Sequence, residues 1–337
     1  MRIDQRFLVA VAVLLAGCSD AAPPPGPSPR ASASREPGVK VADLLAPRAV
    51  VHPSGKESFV NPGLVVEDGG RLHMLTNSFT RYPGASFVSH LMSSDGIEWR
   101  PGTNGPVLRS SQIPDAHETF TTAFVTTGYN ADDDSWVVFG YTFEGPSTEG
   151  FIWRATAPEL DGPWRVDPRP AIGPGPDGAW DAVRVAEPSL VRSDDGYLLF
   201  YTGFDDDGIG RIGVANSTDG ITWTMPDAPV FEGTQEWDGG SVGNPQVVST
   251  ADGHVMVYRT EAAGGFGFGL ARSADGTRWE PSAANPIMDE DRAPNGAQLW
   301  QSEAVTIGGE LRWWLEVGLG SGTTNLYAYR LDTDAAW

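Results

Sequence analysis

The sequence predicts an all-β fold, a five-bladed β-propeller of four-stranded blades whose last blade is closed by the N-terminal segment. A short apolar strand start followed by a hairpin recurs five times, with spacings of 60, 66, 57 and 58 residues. Three of the repeats end in the same Ser-x-Asp-Gly-x-x-Trp motif. Four-stranded units of this period are typical of propellers, because a single blade cannot bury both faces and must stack on its neighbours around an axis.

The N-terminus is typical of a targeting signal. Arg2 and Arg6 precede an apolar run, residues 7–17, which is too short to span a bilayer stably. The run ends in Leu-Ala-Gly-Cys, a sequence that resembles the bacterial lipobox. We therefore expect residues 1–17 to be a signal peptide and Cys18 to be lipidated, with an ordinary signal peptide as the alternative. Residues 18–39 are rich in Pro, Ala and Ser and predict a disordered tether.

Composition restricts the partners of the chain. The net charge is -21 and there is one cysteine in 337 residues. A nucleic-acid partner is not expected, because a phosphate backbone needs a basic surface. A disulfide within the monomer is excluded, and we expect a monomer held at a membrane only through its lipid anchor. Ser19 follows the cysteine, so no Asp-type inner-membrane retention signal is present, which favours the outer membrane or cell surface of a bacterial envelope.

The propeller is predicted to occupy residues 40–337. The blades are expected at residues 58–110, 115–173, 180–232, 237–289 and 295–337, with residues 47–52 supplying the outer strand of blade five. Short fourth strands are expected from Pro106, Pro170, Pro229 and Pro286. The innermost strands begin at Asn61, Thr121, Glu187, Asn244 and Ser302. Because side chains alternate along a strand, we expect these five to face the axial pocket.

Charged residues around the strand starts are the candidate catalytic groups. Asp181 and Asp238 lie six residues before the starts of blades three and four, each directly after a tryptophan. Their loops lead into the inner strands, so we expect both at the mouth of the pocket. The candidate acids are Glu118, Asp181, Glu187, Asp238 and Glu303.

Structural roles are the alternatives for several of these residues. The Trp-Asp pairs could instead cap turns and pack between blades, and Glu187 could be a buried partner of Arg184. His117 is interpreted as a polar rim residue rather than a metal ligand. The Ser-x-Asp-Gly-x-x-Trp motifs are interpreted as tight turns with a Trp anchor. Two acidic turns, residues 132–134 and 205–207, are interpreted as exposed hairpins, with a structural Ca²⁺ site as the alternative.

Several phrases resemble a known superfamily. They are AEPSLVRSDDGYLLFYTG, IGVANSTDGITW and TAPELDGPWR, and SFVNPGLVVEDGGRLHML is similar to the first blade of family 130 mannoside phosphorylases and hydrolases. The chain resembles the five-bladed propeller glycoside hydrolases of the arabinanase, invertase and levansucrase superfamily (families 43, 32, 62, 68, 117 and 130). The resemblance covers residues 45–337.

This resemblance implies a set of catalytic positions. Arabinanase-like enzymes carry a general base, a pKa-tuning Asp and a general acid at the inner-strand starts of blades one, three and four. These positions correspond to Asn61, Glu187 and Asn244, of which only Glu187 is an acid. Family 130 places an Asp-Pro pair at the start of blade two, where this chain has Thr121 and Thr122.

Three functions follow from this pattern. The first is a surface-anchored glycosidase acting on an oligo- or polysaccharide, with no organic cofactor. The second is a glycan-binding propeller without catalysis, because amides bind sugar hydroxyls without transferring protons. The third is a phosphorylase, for which Arg184 would be the cationic group. The candidate binding residues are Asn61, His117, Trp180, Arg184, Trp237, Asn244 and Trp300.

Overall fold

A computed structural model describes residues 41–47, 59–79, 85–114, 122–131, 135–143, 150–193, 195–261, 265–318, 324–333 and 336–337. The strands form five antiparallel sheets that make a five-bladed propeller, which confirms the predicted fold class. In the described part of the chain the helical segments are single 3-10 turns, and no helix is long and apolar enough to span a bilayer.

The strands follow one another blade by blade along the chain. The first strand is β1 (Val41–Pro47). Blade one comprises β2 (Phe59–Asn61), β3 (Val65–Asp68), β4 (Arg71–Phe79), β5 (Ser86–Ser93), β6 (Arg100–Pro101) and β7 (Leu108–Arg109). Blade two comprises β8 (Thr122–Asn130), β9 (Trp136–Phe143), β10 (Ile152–Ala157) and β11 (Arg165–Val166). In both blades the strands with the lowest numbers lie innermost.

The later blades repeat this order. Blade three comprises β12 (Arg184–Ser193), β13 (Gly196–Phe204) and β14 (Gly210–Ser217). Blade four comprises β15 (Val242–Thr250), β16 (Gly253–Thr260), β17 (Phe268–Ser273) and β18 (Glu280–Pro281). Blade five comprises β19 (Leu299–Ile307), β20 (Glu310–Gly318) and β21 (Thr324–Leu331), with β1 at its outer edge.

The N-terminal strand closes the ring, as predicted, but from an earlier segment. β1 pairs antiparallel with β21, with Val41 opposite Leu331 and Pro47 opposite Tyr327. The described closing strand is Val41–Pro47, which shares Pro47 with the predicted segment, residues 47–52. Residues 48–52 lie outside the described residues, so their pairing stays a prediction.

The predicted fourth strands are present as very short pairings. Leu108 pairs within β7, while Ile172, Phe231 and Met288 each form a single bridge to the third strand of their blade. These are the last residues of the four Pro-led segments. Proline has no N–H to donate to a ladder, which limits how far an edge strand can extend from it.

The hydrophobic core is divided among the blade interfaces. The buried apolar residues described form five clusters, and each cluster draws its members mainly from two adjacent blades. The third residue after each strand start packs in one of these clusters, as the alternation predicts. These residues are Leu64, Phe124, Leu190, Val247 and Val305. Each blade is thus stabilised by its neighbours rather than by a core of its own.

The three Ser-x-Asp-Gly-x-x-Trp motifs form the turns and anchors that the sequence predicts. In blade three the Ser217 hydroxyl accepts the N–H groups of Asp219 and Gly220, and Asp219 Oδ1 accepts two further backbone N–H groups. The bond from the Thr222 N–H, followed by the other donors, lowers the pKa of Asp219 to about 2. Trp223 meets Phe139 of blade two edge-on at 5.7 Å. The motif therefore joins neighbouring blades.

Candidate functional site

A pocket of about 330 Å³, including its opening, lies at the propeller axis. Asn61, Glu187, Asn244 and Ser302 all line it, as the strand alternation predicts, and Thr121 lies outside the described residues. The remaining lining residues are Pro62, Asn77, Phe124, Thr126, Tyr141, Pro188, Ser189, Pro245, Gln246, Gln301 and Glu303. The inner-strand starts of four blades therefore converge on one site.

A backbone irregularity turns two of these side chains toward the axis. Glu187 and Asn244 have φ angles of 56° and 49°, in the left-handed region. The strand register shifts at the same places, between Ala186 and Ser189 in blade three and at the corresponding step of blade four. Left-handed backbone at a non-glycine residue costs roughly 1–3 kcal/mol and is concentrated at functional sites. Both residues precede a proline, which has no N–H to donate to the strand ladder. Each inner strand is therefore interrupted where its polar residue enters the pocket.

Glu187 is held by three hydrogen-bond donors. Its Oε1 accepts from Arg259 Nη2 at 2.8 Å. Its Oε2 accepts from the Thr202 hydroxyl and from the Asn244 N–H, both at 2.8 Å. All three donors come from the same or the next blade, and the ion pair is almost completely buried. These bonds compensate the burial of the carboxylate and fix it in position.

Arg259 joins two carboxylates. Its Nη2 also contacts Glu261 Oε1 at 2.6 Å, and its Nη1 donates to the Trp300 carbonyl at 3.0 Å. Burial, reinforced by the charge of Glu187 and opposed by Arg259, raises the pKa of Glu261 to about 7. The ion partner of Glu187 is thus Arg259, in place of the Arg184 that the structural interpretation of the sequence expected.

Arg184 lies close to this network but packs differently. Its guanidinium carbon is 4.0 Å from the centre of the Phe204 ring. Burial lowers the pKa of Arg184, while the nearby charges of Glu187 and Glu261 act in the opposite direction. Arg184 therefore adds positive charge beside the carboxylates without lining the pocket.

A second ring of polar side chains lies on the second strands, opposite the inner-strand starts. All five members are buried. They are Asn77, Thr142, Thr202, Arg259 and Glu316. None of these residues was predicted as a site residue, although the sequence contains a pattern that marks them. Each of these residues follows a pair of apolar residues by one to three positions, in the segments MLTN, VFGYT, LFYT, MVYR and WLE.

Two members of this ring bond to the inner strands of blade one and blade two. Asn77 donates from Nδ2 to the Val125 carbonyl at 3.0 Å and accepts the Val125 N–H at Oδ1, at 2.9 Å. Asn61 donates from Nδ2 to Glu316 Oε2. Burial raises the pKa of Glu316 to about 7, against the effect of hydrogen bonds from its neighbours. Both ends of the Asn77 amide are thus bonded to the backbone. The Asn61 amide instead bonds to the carboxyl group of Glu316, which can gain or lose a proton.

Carboxamides dominate the rest of the pocket. Asn244 donates to Gln301 Oε1, and its Oδ1 accepts from Gln246 Nε2 at 2.9 Å. Gln246 also bonds to the Ser302 hydroxyl at 2.8 Å. Gln246 and Gln301 were not among the predicted binding residues, because each lies beside a strand start rather than on it. The pocket wall is therefore an ordered amide network around one ion-paired carboxylate.

Glu303 lines the pocket next to Ser302, where three other blades have proline. Burial raises the pKa of Glu303 well above its usual range, and a hydrogen bond from the Val65 N–H opposes that shift only in part. Val65 belongs to blade one, so the carboxyl group lies at the junction of blades five and one. A raised pKa favours the protonated form of the carboxyl group, which can act as a proton donor.

Asp181 and Trp180 pack within blade three. Asp181 is buried and accepts the Tyr201 hydroxyl at 2.9 Å, and burial raises its pKa. The Trp180 ring lies 5.5 Å from the Tyr201 ring. Neither residue lines the axial pocket.

Asp238 and Trp237 occupy the same places in blade four. Asp238 accepts the N–H groups of Thr234, Gln235 and Gly240, and so caps the 3-10 turn at Glu236–Asp238. The Trp237 ring lies 5.7 Å from Tyr258. The contacts of both Trp-Asp pairs fit the structural alternative.

The remaining predicted residues divide into two groups. Trp300 meets Phe266 edge-on at 6.0 Å, and its carbonyl accepts from Arg259. His117, Glu118 and Cys18 lie outside the described residues. Their predicted roles stay predictions.

Within the described residues, no group of three or more His, Cys, Asp or Glu side chains could hold a metal ion. In the acidic turn at residues 205–207, Asp205 pairs with Arg211 at 2.6 Å and accepts the N–H groups of Asp207 and Ile209. Both carboxylate oxygens of Asp205 are thus bonded within the turn. The other acidic turn, residues 132–134, lies outside the described residues.

The chain folds as a five-bladed β-propeller with a pocket at its axis, and solved glycoside hydrolases share this fold. A thermostable family-43 glycoside hydrolase aligns with a TM-score of 0.66 and 16% identity, over 84% of this chain and 92% of that chain. An endo-1,4-β-xylanase from Bacteroides thetaiotaomicron aligns with a TM-score of 0.61 and 15% identity, over 81% and 91%. A family 117 glycoside hydrolase from Zobellia galactanivorans aligns with a TM-score of 0.63 and 13% identity, over 87% and 90%.

These similarities confirm the resemblance at the level of the fold. No protein-family model and no curated protein sequence matches the chain. A function for this chain therefore has to be inferred from the residues of the pocket.

Proposed function

We propose that this protein is a glycoside hydrolase-type propeller that takes a sugar unit of an oligo- or polysaccharide into its axial pocket. The observation that carries the proposal is the lining of the pocket, where five carboxamides surround one ion-paired carboxylate. The carboxamides are Asn61, Asn77, Asn244, Gln246 and Gln301. Each can donate and accept hydrogen bonds, as a sugar hydroxyl requires, and the buried network holds them in position.

Hydrolysis needs two carboxyl groups, and Glu187 and Glu303 are the two carboxyl-bearing side chains among the described residues that line the pocket. Glu303 has a raised pKa and serves as the general acid in this proposal. Glu187 uses three of about four acceptor positions on its carboxylate for Arg259, Thr202 and Asn244. Its negative charge would stabilise an oxocarbenium-like transition state, and its last acceptor position would orient the attacking water.

Glycan binding without turnover is the second candidate, and a specific observation favours it. Asn61 and Asn244 stand where the resemblance implies a general base and a general acid. An amide cannot exchange a proton as a carboxyl group does at neutral pH, but it binds a hydroxyl well.

A paired binding and hydrolysis assay distinguishes the two functions. Xylo-oligosaccharides form the first panel, since one solved neighbour is a xylanase, followed by other plant and microbial glycans and aryl glycosides. A glycosidase would release sugar, and Glu187→Gln and Glu303→Gln would each lower kcat by about 10²-fold or more. The exposed pair Arg330 and Glu310 supplies the control, because Glu310→Gln should leave turnover unchanged.

Each outcome of this assay decides one question. Binding by calorimetry without sugar release would support the non-catalytic candidate. Turnover that both glutamine variants retain would remove this pair from the mechanism. A folded protein that neither binds nor cleaves any glycan in the panel would contradict the proposal itself.

Anchoring of the protein to a bacterial envelope is a separate part of the proposal. It rests on the lipobox-like Leu-Ala-Gly-Cys sequence at Cys18 and on the Pro/Ala/Ser composition of residues 18–39. Growth with labelled palmitate should label the wild-type protein in the membrane fraction. Cys18→Ser should abolish the label, and equal labelling of that variant would contradict the anchor.

A further inference from the structure

The amide of Asn61 is bonded at one end only. Its Nδ2 donates to Glu316 Oε2, while its Oδ1 is buried without a hydrogen-bond partner. Asn61 lines the axial pocket, and Glu316 lies fully buried behind it. A buried acceptor without a partner is unfavourable, so the Oδ1 atom is suited to accept a hydrogen bond from a group that enters the pocket.

We propose that Glu316 is a positioning residue whose protonation state decides which end of the Asn61 amide faces the pocket. An ionised carboxylate can only accept, so it holds the Asn61 NH₂ group and leaves the carbonyl oxygen toward the pocket. A protonated carboxyl group donates its O–H, so it attracts the Asn61 carbonyl and leaves the NH₂ group toward the pocket. One rotation of the terminal amide exchanges the two arrangements.

The neighbours of Glu316 allow this exchange near neutral pH. Burial favours the protonated form. The groups that favour the ionised form are the Thr324 hydroxyl, the Asn61 amide, the Gln301 backbone N–H and, as a full charge, Arg259. The balance places the pKa of Glu316 at about 7. Thr324 in turn accepts the Val60 N–H at 3.1 Å, which fixes the hydroxyl beside the carboxyl group.

The consequence for recognition rests on the proposed function. Above pH 7 the pocket would present an acceptor at Asn61, which suits a donating sugar hydroxyl. Below pH 7 it would present a donor, which also suits groups that only accept, such as the carboxylate of a uronic acid or the carbonyl of an N-acetyl group. Glu316 would thereby adjust which sugar substituent is accepted next to blade one.

Asn77 provides an internal control in the same pocket. Both ends of its amide bond to the backbone of Val125, so neither orientation changes with Glu316. Side-chain amide spectra of the full-length protein with ¹⁵N-labelled asparagine, recorded without ligand from pH 5 to 9, compare the two residues directly. Asn61→Ser and Asn77→Ser identify the two signals by their disappearance.

The wild-type protein should show an Asn61 signal that shifts with a midpoint near pH 7, while the Asn77 signal stays constant. In Glu316→Gln, which is similar in shape but does not titrate, the Asn61 shift should disappear. An Asn61 signal that is constant in the wild type, or that titrates equally in Glu316→Gln, would overturn the proposal. The wild-type comparison suffices if the variant does not fold. Because no ligand is used, this result is independent of whether the pocket binds glycans.

Discussion

Removal of Arg259 should expose how strongly the axial network depends on a single cation. Arg259→Met keeps an apolar side chain of similar length but deletes the guanidinium that contacts Glu187 at 2.8 Å and Glu261 at 2.6 Å. Both carboxylates then remain in the interior without their counter-charge. Breaking a buried pair in this way typically costs about 3–5 kcal/mol, and the Trp300 carbonyl loses its donor as well.

The size of the loss should depend on pH in a defined direction. Arg259 opposes the effects of burial and Glu187, which together raise the pKa of Glu261 to about 7. At pH 6, below that pKa, Glu261 is largely protonated even beside Arg259, so its charge adds little to the loss. At pH 8 the wild-type Glu261 is ionised and paired, whereas in the variant its pKa is higher and it must either keep a proton or bury an unpaired charge. The destabilisation should therefore be larger at pH 8.

Urea unfolding followed by tryptophan fluorescence measures this loss. Arg272→Met is the matched control, because the Arg272–Glu280 pair is exposed and should contribute about 1 kcal/mol or less. In the double variant Arg259→Met with Glu187→Gln, part of the lost stability should return, since one stranded charge is gone. An Arg259→Met variant no less stable than the Arg272→Met control at both pH values would refute the reasoning.

Three further predictions concern Asn77 and Glu316 of the second polar ring and Gly243, which lies opposite Arg259. Gly243→Ala should cost about 1–3 kcal/mol, because the new Cβ would lie 2.7 Å from Thr202 Cγ2; Gly105→Ala, with nothing within 4 Å, should unfold like the wild type. Asn77→Ala should lower the midpoint of thermal unfolding by leaving two backbone groups unpaired, about 2 kcal/mol in total, and an unchanged midpoint would contradict this. Because burial raises the pKa of Glu316 from 4.5 to about 7, its contribution to stability is present below pH 4.5 and lost as the pH rises to 7, by about 3 kcal/mol. Glu316→Gln should flatten that part of the stability profile, and an unaltered profile would disprove it.

The fold could be predicted from the sequence because the repeat is visible in it. Hairpin turns and the Ser-x-Asp-Gly-x-x-Trp motif are local patterns. The strand start with its hairpin occurs five times, which fixes the number of blades. The alternation of side chains also identified the axial residues Asn61, Glu187, Asn244 and Ser302. The left-handed backbone at two of them was not predictable, since neither residue is a glycine.

The chemistry of the site was less accessible, because its contacts join residues that are distant in the chain. Arg259 is 72 positions from Glu187, and Glu316 is 255 positions from Asn61. Their pairing follows only from the stacking of blades. Asp238 illustrates a different difficulty, because an aspartate before a strand serves equally well as a turn cap or as a catalytic acid, and only the bonds it makes separate the two.

The way the ring closes also determines the face at which the N-terminal tether would join the propeller. β19 starts at the axial pocket, β20 returns to it, and β21 therefore ends at Leu331 on the opposite face. Val41 pairs with Leu331, so the chain enters the propeller at the face opposite the pocket. A lipid on Cys18, as proposed, would thus be tethered to the rear face, and the pocket would open on the face away from the attachment point.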